Sequence, residues 1–201
     1  MDARHIFDRA VAQLGDAVSA LEDPAAVDPA AGSPAPAAAK AVPRDAFFRV
    51  APARVADLCR FLRDEADLRF DFLQNLTAID WPKREVLELV YHLYSYRHRH
   101  AICVKTEVPR ATPHVPSVAA VWPTADWMER EQFDLLGVIF DGHPDLRRLL
   151  MPDDWVGHPM RKDFQEPRSY RGMPTSRPSP LELLASYDRL HGAAAKKEPA
   201  P

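Results

Sequence analysis

The chain has 201 residues, of which 46% are hydrophobic and 27% charged, a composition that suits one folded domain with a sizeable core and polar extensions. Its 26 basic and 29 acidic residues give a net charge of −3, so no overall basic field favours nucleic acid or anionic lipid. The N-terminus lacks the basic-then-apolar order of a signal peptide, and no apolar run approaches the ~18 residues of a membrane span. The sequence therefore predicts that any membrane association passes through partners.

The N-terminal part of the chain alternates helical and proline-rich patterns. Apolar residues at helical spacing predict a helix over about 3–21. Residues 23–44 are rich in alanine and proline, which predicts a mobile linker because repeated prolines block a continuous helix. Residues 47–50 predict a short strand leading into a helix over about 52–64. Cys59 in that helix is predicted to face inward, as a buried, reduced thiol.

The central part of the chain predicts strands followed by helices. Residues 69–80 are typical of a strand or an irregular edge, and residues 86–96 and 101–108 are rich in β-branched and aromatic residues. The short R-H-R-H stretch between the last two favours a hairpin with solvated histidines, namely His92, His98 and His100. Residues 117–121 and 126–136 look helical, and Gly137 follows as a C-cap. A short strand is predicted over 138–140, and Cys103 is expected to be a second buried thiol.

These patterns predict an α+β fold with an N-terminal helix, a small mixed sheet with packed helices, and an extended C-terminal interaction segment. The expected organisation has five parts: an N-terminal helix (1–22), an Ala/Pro-rich linker (23–44), an α+β domain (45–142), a partner-docking segment (143–178) and a variable tail (179–201).

The charged residues of the 126–136 helix allow two interpretations. Glu129, Glu131 and Asp134 could form an acid/base set or bind a hard cation, with His143 as a further ligand. They could instead brace the fold, because Arg130 and Asp134 are four residues apart and predict an ion pair along one helix face. The bracing interpretation is favoured, since no Gly-rich loop or second ligand set accompanies the carboxylates.

Residues 143–164 combine apolar side chains with prolines and turn formers. His143 and His158 each precede a proline, and their separation fits no short metal motif. Aromatic, methionine and arginine residues are enriched at interface centres. The segment is therefore predicted to dock on a partner through Trp155, His158, Arg161, Lys162, Asp163 and Phe164, with Met151, Met160, Arg147 and Arg148 in support. An Ω-like loop packed on its own domain is the alternative. No nucleotide-binding fingerprint, P-loop or cluster-binding cysteine set is present.

The run from Glu129 to Phe164, E-R-E-Q-F-D-L-L-G-V-I-F-D-G-H-P-D-L-R-R-L-L-M-P-D-D-W-V-G-H-P-M-R-K-D-F, closely resembles the signature of the thirty-kilodalton subunit of proton-pumping NADH:quinone oxidoreductase, which is respiratory complex I. The matching positions are Glu129, Arg130, Glu131, Asp134, Leu135, Leu136, His143 and Arg147, with Gly137 between them. Arg148 stands where an aliphatic residue is expected, so Leu149 or Leu150 takes that role. F-D-F-L-Q-N-L-T-A-I-D-W also resembles the family, and the likeness covers about 47–164.

The resemblance implies a subunit of the hydrophilic arm that has no catalytic residue, metal or cofactor of its own. It implies a hetero-oligomer whose FMN and iron–sulfur clusters lie in partner subunits. The expected partners are the homologue of hydrogenase large subunits and the cluster-bearing subunit near the quinone site. The expected location is the cytoplasmic side of the cell inner membrane, peripheral through the complex. Two alternatives stay open: the equivalent subunit of a membrane-bound hydrogenase or of a ferredoxin- or F420-linked dehydrogenase, and a self-sufficient metal-dependent enzyme.

Overall fold

A computed structural model describes residues 3–22 and 46–175 of the chain. Within these ranges the main sheet has five strands, in the spatial order β1-β2-β5-β4-β3. The strands are β1 (Val18–Glu22), β2 (Phe47–Val50), β3 (Phe72–Trp81), β4 (Val86–Ser95) and β5 (His100–Pro109). All neighbouring pairs are antiparallel except β2 and β5, so the sheet is mixed, as predicted.

The predicted N-terminal helix over 3–21 is too long. The helix α1 covers Ala3–Leu14, and a 3-10 turn at Gly15–Ala17 leads into β1, whose Val18 pairs with Val50 of β2. Gly15 has φ +58°, a left-handed conformation that ends a helix readily because glycine lacks a Cβ. The apolar residues beyond Gly15 continued the helical spacing by coincidence, and strand pairing decided their conformation.

One face of the sheet is covered by α1 and by α2 (Val55–Asp64), which follows a 3-10 turn at Pro52–Arg54. The predicted helix over 52–64 is confirmed, and Val55, Leu58, Cys59 and Leu62 are buried in the core, while Phe61 is partly buried against it. Side chains of β4 and β5, such as Tyr91 and Val104, enter the same core. The two predicted strands and their hairpin are confirmed, and β3 lies at the edge of the sheet.

The helix α3 (Ala125–Leu136) lies against the edge strand β3. Gln132 of α3 is buried, and its side-chain Oε1 accepts a hydrogen bond of 3.0 Å from the Ala78 N–H of β3. The Gln132 Nε2 donates to the Leu76 carbonyl at 3.5 Å. The side chain therefore supplies part of the pairing that a further strand would give to an exposed sheet edge.

Residues 117–121, predicted as a helix, form turns instead. They follow β6 (His114–Pro116), which pairs in parallel with β7 (Ile139–Asp141). The Glu129 carboxylate accepts hydrogen bonds from the hydroxyl of Ser117 and the N–H of Val118, so side-chain contacts from α3 fix this stretch in place of helical backbone bonds. The predicted short strand after Gly137 is confirmed with a shift of one residue.

The chain divides into two compact units, one up to Phe164 and one from Gln165 onward. In the second unit, β8 (Ser169–Tyr170) and β9 (Met173–Pro174) form a small hairpin. Among the described residues, no helix is long and apolar enough to cross a membrane. The predicted linker (23–44) and tail (179–201) lie outside the described residues, and the predicted five-part division stays a prediction.

Candidate functional site

Four polar residues of α3 are buried: Glu129, Arg130, Gln132 and Asp134. Burial of so many polar groups on one short helix is costly unless each finds a partner. Several of their partners lie in the irregular stretch from His143 to Phe164, which we call the anchored segment. The candidate site is thus α3 together with the anchored segment that is fastened to it.

Asp134 is the main attachment point of the anchored segment. Its Oδ2 accepts hydrogen bonds from the N–H groups of Leu149, Leu150 and Met151, at 3.1, 2.7 and 2.7 Å. Its Oδ1 accepts from Arg148 Nη1 at 2.7 Å. Burial raises the pKa of this carboxyl, but the backbone N–H groups and Arg148 outweigh it, so the pKa is lowered overall. Asp134 is therefore held as a carboxylate that orders the backbone over 148–151.

The predicted ion pair between Arg130 and Asp134 is wrong. Asp134 pairs with Arg148 instead, while Arg130 stacks over the Trp127 ring with its Cζ 5.1 Å from the ring centroid. The Arg130 Nε lies 3.4 Å from the carbonyl oxygen of Arg147. Helical spacing permitted the i,i+4 pair, but the arginine from the anchored segment reaches the carboxylate together with the adjacent backbone N–H groups.

Glu129 is fully buried and fixes the turn before α3. Its Oε1 accepts from the Val118 N–H at 2.7 Å, and its Oε2 lies 2.6 Å from the Ser117 hydroxyl. Burial raises its pKa to about 7, against the opposing effect of these two hydrogen bonds, and Asp126 adds to the rise. Glu129 therefore carries a proton for much of its time near neutral pH. Glu131, the other glutamate of the motif, is half-buried.

His143 has a completely buried side chain beside the N-terminal half of α3. Its Nδ1 accepts a hydrogen bond of 3.0 Å from the Asp145 N–H, which fixes the neutral tautomer with the proton on Nε2. That Nε2 donates to the Asp126 carbonyl oxygen at 3.2 Å and lies 3.3 Å from Asp126 Oδ1. The histidine thus joins the start of the anchored segment to α3.

Gly137 ends α3 with φ +75°, confirming the predicted C-cap. A Cβ built on Gly137 would lie 2.6 Å from His158 Nε2, so the glycine also makes room for the His158 ring. His158 Nδ1 lies 3.0 Å from the Asp134 carbonyl oxygen, and Arg161 Nε donates to the Leu136 carbonyl at 2.7 Å. These side chains satisfy carbonyl groups that the helix end leaves without intrahelical partners.

A second carboxylate secures the far end of the anchored segment. Asp80, near the end of β3, accepts from the Lys162 N–H at 2.8 Å and from Arg110 Nε at 2.8 Å. Arg110 also pairs with Asp163, its Nη1 lying 3.1 Å from Asp163 Oδ2. Burial raises the pKa of Asp80, but the hydrogen bonds from Arg110 and the Lys162 N–H lower it by more. The net shift of the pKa is therefore downward. Phe164, the last residue of the anchored segment, packs against Gly157.

The side chains proposed as metal ligands are hydrogen-bonded to other groups of the protein. Among the described residues, no group of three or more histidine, cysteine or acidic side chains is arranged to hold a metal ion. The oxygens of Asp134 and Glu129 are hydrogen-bonded to protein donors, and both nitrogens of His143 are engaged. Cys59 and Cys103 are buried and do not form a disulfide, as predicted. Burial raises the pKa of Cys59 far above its ordinary value.

The prediction that the hairpin histidines are solvated is wrong for His100. His100 is buried, with Nε2 2.8 Å from the Leu68 carbonyl oxygen and its ring 4.7 Å from that of Phe70. His98 is half-buried, and its Nε2 lies 3.0 Å from the Ala66 carbonyl oxygen. Both rings therefore pin the loop after α2, a role that strand alternation could not reveal.

The anchored segment presents apolar side chains outward. Leu150, Val156 and Met160 are exposed by 60%, 84% and 59%, although the backbone around them is held to α3 and Arg148. Met160 is itself fixed by its N–H, which donates to the Leu135 carbonyl at 3.0 Å. Fixed backbone with exposed large apolar side chains is typical of an interaction surface.

Several of the predicted docking residues make hydrogen bonds within this chain. His158, Arg161 and Asp163 bond to α3 or Arg110, and Lys162 contributes its backbone N–H. Trp155 is half-buried, and its carbonyl oxygen accepts from Arg148. Arg147 is exposed and pairs with Asp145. A role of these residues toward a partner stays a prediction.

Sequence reasoning missed three residues that build the site, namely Asp80, Arg110 and Gln132, and it gave Arg148 a different role. Arg148 was predicted to support docking on a partner, whereas in the structure it forms the ion pair with Asp134. Asp80 and Arg110 lie far in sequence from the anchored segment, and no local spacing links them to it. A glutamine in the middle of an amphipathic helix was the one available signal for Gln132.

The fold and the site define a small α+β domain that uses the buried polar residues of one helix to hold an irregular C-terminal segment. The family model described as "Respiratory-chain NADH dehydrogenase, 30 Kd subunit" matches residues 48–170. The homologous NADH-quinone oxidoreductase subunit of Roseiflexus castenholzii is 51% identical over 120 residues, covering 59% of this chain and 69% of that protein. The chain belongs to the family of the 30-kilodalton subunit of respiratory-chain NADH dehydrogenase, which confirms the resemblance found in the sequence.

Two solved structures share the fold. A chain from the archaeal membrane-bound sulfane sulfur reductase superimposes with a TM-score of 0.60 at 22% identity, covering 98% of this chain and 95% of that one. A trypsin-resistant fragment of Nqo5 gives a TM-score of 0.53 at 23% identity, covering 73% of this chain and the whole of the fragment. Both likenesses concern the fold, and they confirm the α+β class.

Proposed function

We propose that this chain is a non-redox structural subunit in the hydrophilic arm of a proton-translocating NADH:quinone oxidoreductase. In this role it supports electron transfer from NADH to quinone by docking on the quinone module, which consists of the hydrogenase-large-subunit homologue and the adjacent cluster-bearing subunit. It has no active site of its own, and the FMN and iron–sulfur clusters belong to partner subunits. It lies on the cytoplasmic side of the inner membrane and attaches there through the complex. Family membership supports the complex, and the anchored segment supports the docking role.

The observation that carries the proposal is the anchored segment itself. Its backbone is fixed by two carboxylates, Asp134 and Asp80, while Leu150, Val156 and Met160 project outward. Because the segment is ordered before it meets a partner, docking does not have to meet the entropy cost of ordering a loop. Exposed apolar side chains on such a segment gain free energy when a partner covers them.

The equivalent subunit of a related membrane complex is the other candidate function for the same fold. The sulfane sulfur reductase chain shares the fold at 22% identity. The NADH-quinone oxidoreductase subunit from Roseiflexus castenholzii is 51% identical, and that difference favours the NADH:quinone oxidoreductase.

The test is co-purification of the tagged chain from its native membranes, followed by mass spectrometry. Wild type should recover a hydrogenase-large-subunit homologue, a cluster-bearing subunit and NADH-oxidising subunits. Leu150→Asp should reduce this recovery about tenfold or more, because a charge would be buried without a partner. Tyr96→Asp is the control, since Tyr96 is exposed by 64% on the hairpin between β4 and β5.

Both variants should fold, because the changed side chains are exposed, and thermal unfolding of each purified chain checks this. Recovery of hydrogenase subunits in place of NADH-oxidising subunits would select the related complex. Equal recovery with wild type and Leu150→Asp would contradict docking through the anchored segment.

A further inference from the structure

Arg130 is a buried cation without a carboxylate partner among the described residues. Its side chain is largely removed from water, since the residue is exposed by only 8%. Its contacts are the Trp127 ring and, through Nε, the carbonyl oxygen of Arg147 at 3.4 Å. Neither contact neutralises the charge of the guanidinium group.

The carboxylates one turn away on α3 are turned to other groups. Asp126 Oδ1 lies 3.3 Å from His143 Nε2, and Asp134 is paired with Arg148 at 2.7 Å. Among the described residues, the guanidinium of Arg130 therefore has no carboxylate within ion-pair distance.

A guanidinium group that is largely removed from water and lacks a counter-charge is unfavourable, and a planar carboxylate matches its paired N–H groups. Trp127 stands beside it, exposed by 61%, and the ring holds one face of the guanidinium. Tryptophan and arginine are among the residue types most enriched at the energetic centres of interfaces.

We propose that Trp127 and Arg130 form a receptor for an aspartate or glutamate side chain of a partner subunit. The partner's carboxylate completes the hydrogen bonding of Arg130, and apolar atoms next to it cover the Trp127 ring. A protein partner is favoured over a free anion because the exposed indole needs apolar cover, which a small anion does not supply. This inference rests on the proposed function, since it names the chemistry of one contact in the assembled complex.

The experiment compares variants in the detergent-solubilised complex, with the fraction of chain that stays bound measured over a series of NaCl concentrations. Arg130→Gln should weaken binding about 10- to 100-fold and reduce its salt dependence, because a charged hydrogen-bonded pair is lost. Arg130→Lys should retain part of the affinity, since it keeps the charge but not the planar fork. Arg60→Gln on α2 is the matched control and should bind within about twofold of wild type, because the Arg60 side chain is 56% exposed and pairs with Asp57 of the same helix.

Two further measurements separate the possible causes. The melting temperature of the free Arg130→Gln chain should stay within about 3 °C of wild type. A larger drop would show that Arg130 mainly stabilises the fold of its own chain. Val156→Asp probes the apolar surface independently. If Val156→Asp weakens binding and Arg130→Gln does not, the receptor is refuted while the proposed function stands. If neither weakens binding, both are refuted.

A photo-crosslinking residue in place of Trp127 tests the contact directly in assembled complexes. The cross-linked peptide should come from a partner subunit and contain an aspartate or glutamate next to the attachment point. Cross-links to lipid, to a second copy of this chain or to a peptide without acidic residues would overturn the proposal.

Discussion

Replacing Asp134 with asparagine should release the anchored segment, because this one carboxylate holds it at four points. The oxygens accept three backbone N–H groups and the Arg148 guanidinium, all within 3.1 Å. Asparagine has nearly the same shape but carries no charge, and its amide group must face either Arg148 or the backbone donors. Hydrogen bonds to a charged group contribute about 1.5–3 kcal/mol each. Breaking one side of a buried ion pair costs about 3–5 kcal/mol, which we take as the expected loss.

The assay is urea unfolding of the purified chain at pH 7, with Asp145→Asn as the matched control. Asp145 makes the same kind of pair with Arg147 on the surface, so its change should cost less than about 1 kcal/mol. Hydrogen exchange should show lost protection at the amides of Leu149, Leu150 and Met151. A loss for Asp134→Asn no larger than that for the control would refute the anchoring argument.

The pH dependence of the same variant provides an internal check. The folded pKa of Asp134 is lowered, so its contribution to stability is complete above the ordinary carboxyl pKa of about 3.9 and is lost as the pH falls through the folded value. The stability difference between wild type and Asp134→Asn should therefore be constant from about pH 5 to 8 and shrink in acid. A difference unchanged in strong acid would mean that the charge plays no part.

Three other substitutions test neighbouring features by the unfolding free energy. Gly137→Ala should lower the unfolding free energy by more than the roughly 1–2 kcal/mol of left-handed backbone strain, because the new Cβ meets the His158 ring. Gly142→Ala is the control: Gly142 has φ +81° with open space around it, so its variant should show the strain alone. Glu129→Gln should remove a pH dependence of the unfolding free energy. Because the folded pKa of Glu129 is raised to about 7, wild type should lose about 3 kcal/mol of stability as the pH rises from about 4 to beyond 7. Gln132→Leu should cost about 1–3 kcal/mol by leaving edge groups of β3 unpaired, whereas Gln74→Leu on the exposed part of that strand should change stability little.

One result for each of the three variants would contradict these expectations. Equal losses for the two glycine variants would show that the His158 ring moves aside at no cost. A wild-type pH profile identical to that of Glu129→Gln would mean that the buried carboxyl does not retain its proton. A Gln132→Leu chain as stable as wild type would show that water or backbone movement satisfies the strand edge.

The sequence by itself determined the family, the α+β class and most of the elements. A long motif of varied residue types identifies a family with high specificity, and β-branched runs and helical spacing are local signals that β2, β4, β5, α2 and α3 obey. The same local signals failed after Gly15 and at 117–121, where strand pairing with β2 and the Glu129 carboxylate fixed the backbone.

The tertiary structure alone decided the roles of the polar residues. Spacing along α3 predicted a pair between Arg130 and Asp134, but Asp134 is bound by Arg148 from a segment that returns to the helix after a turn. Asp80 and Lys162 meet although they are far apart in sequence. The physical reason is that a buried carboxylate bonds to whichever donors the fold brings to it, and long-range packing rather than local periodicity chooses those donors.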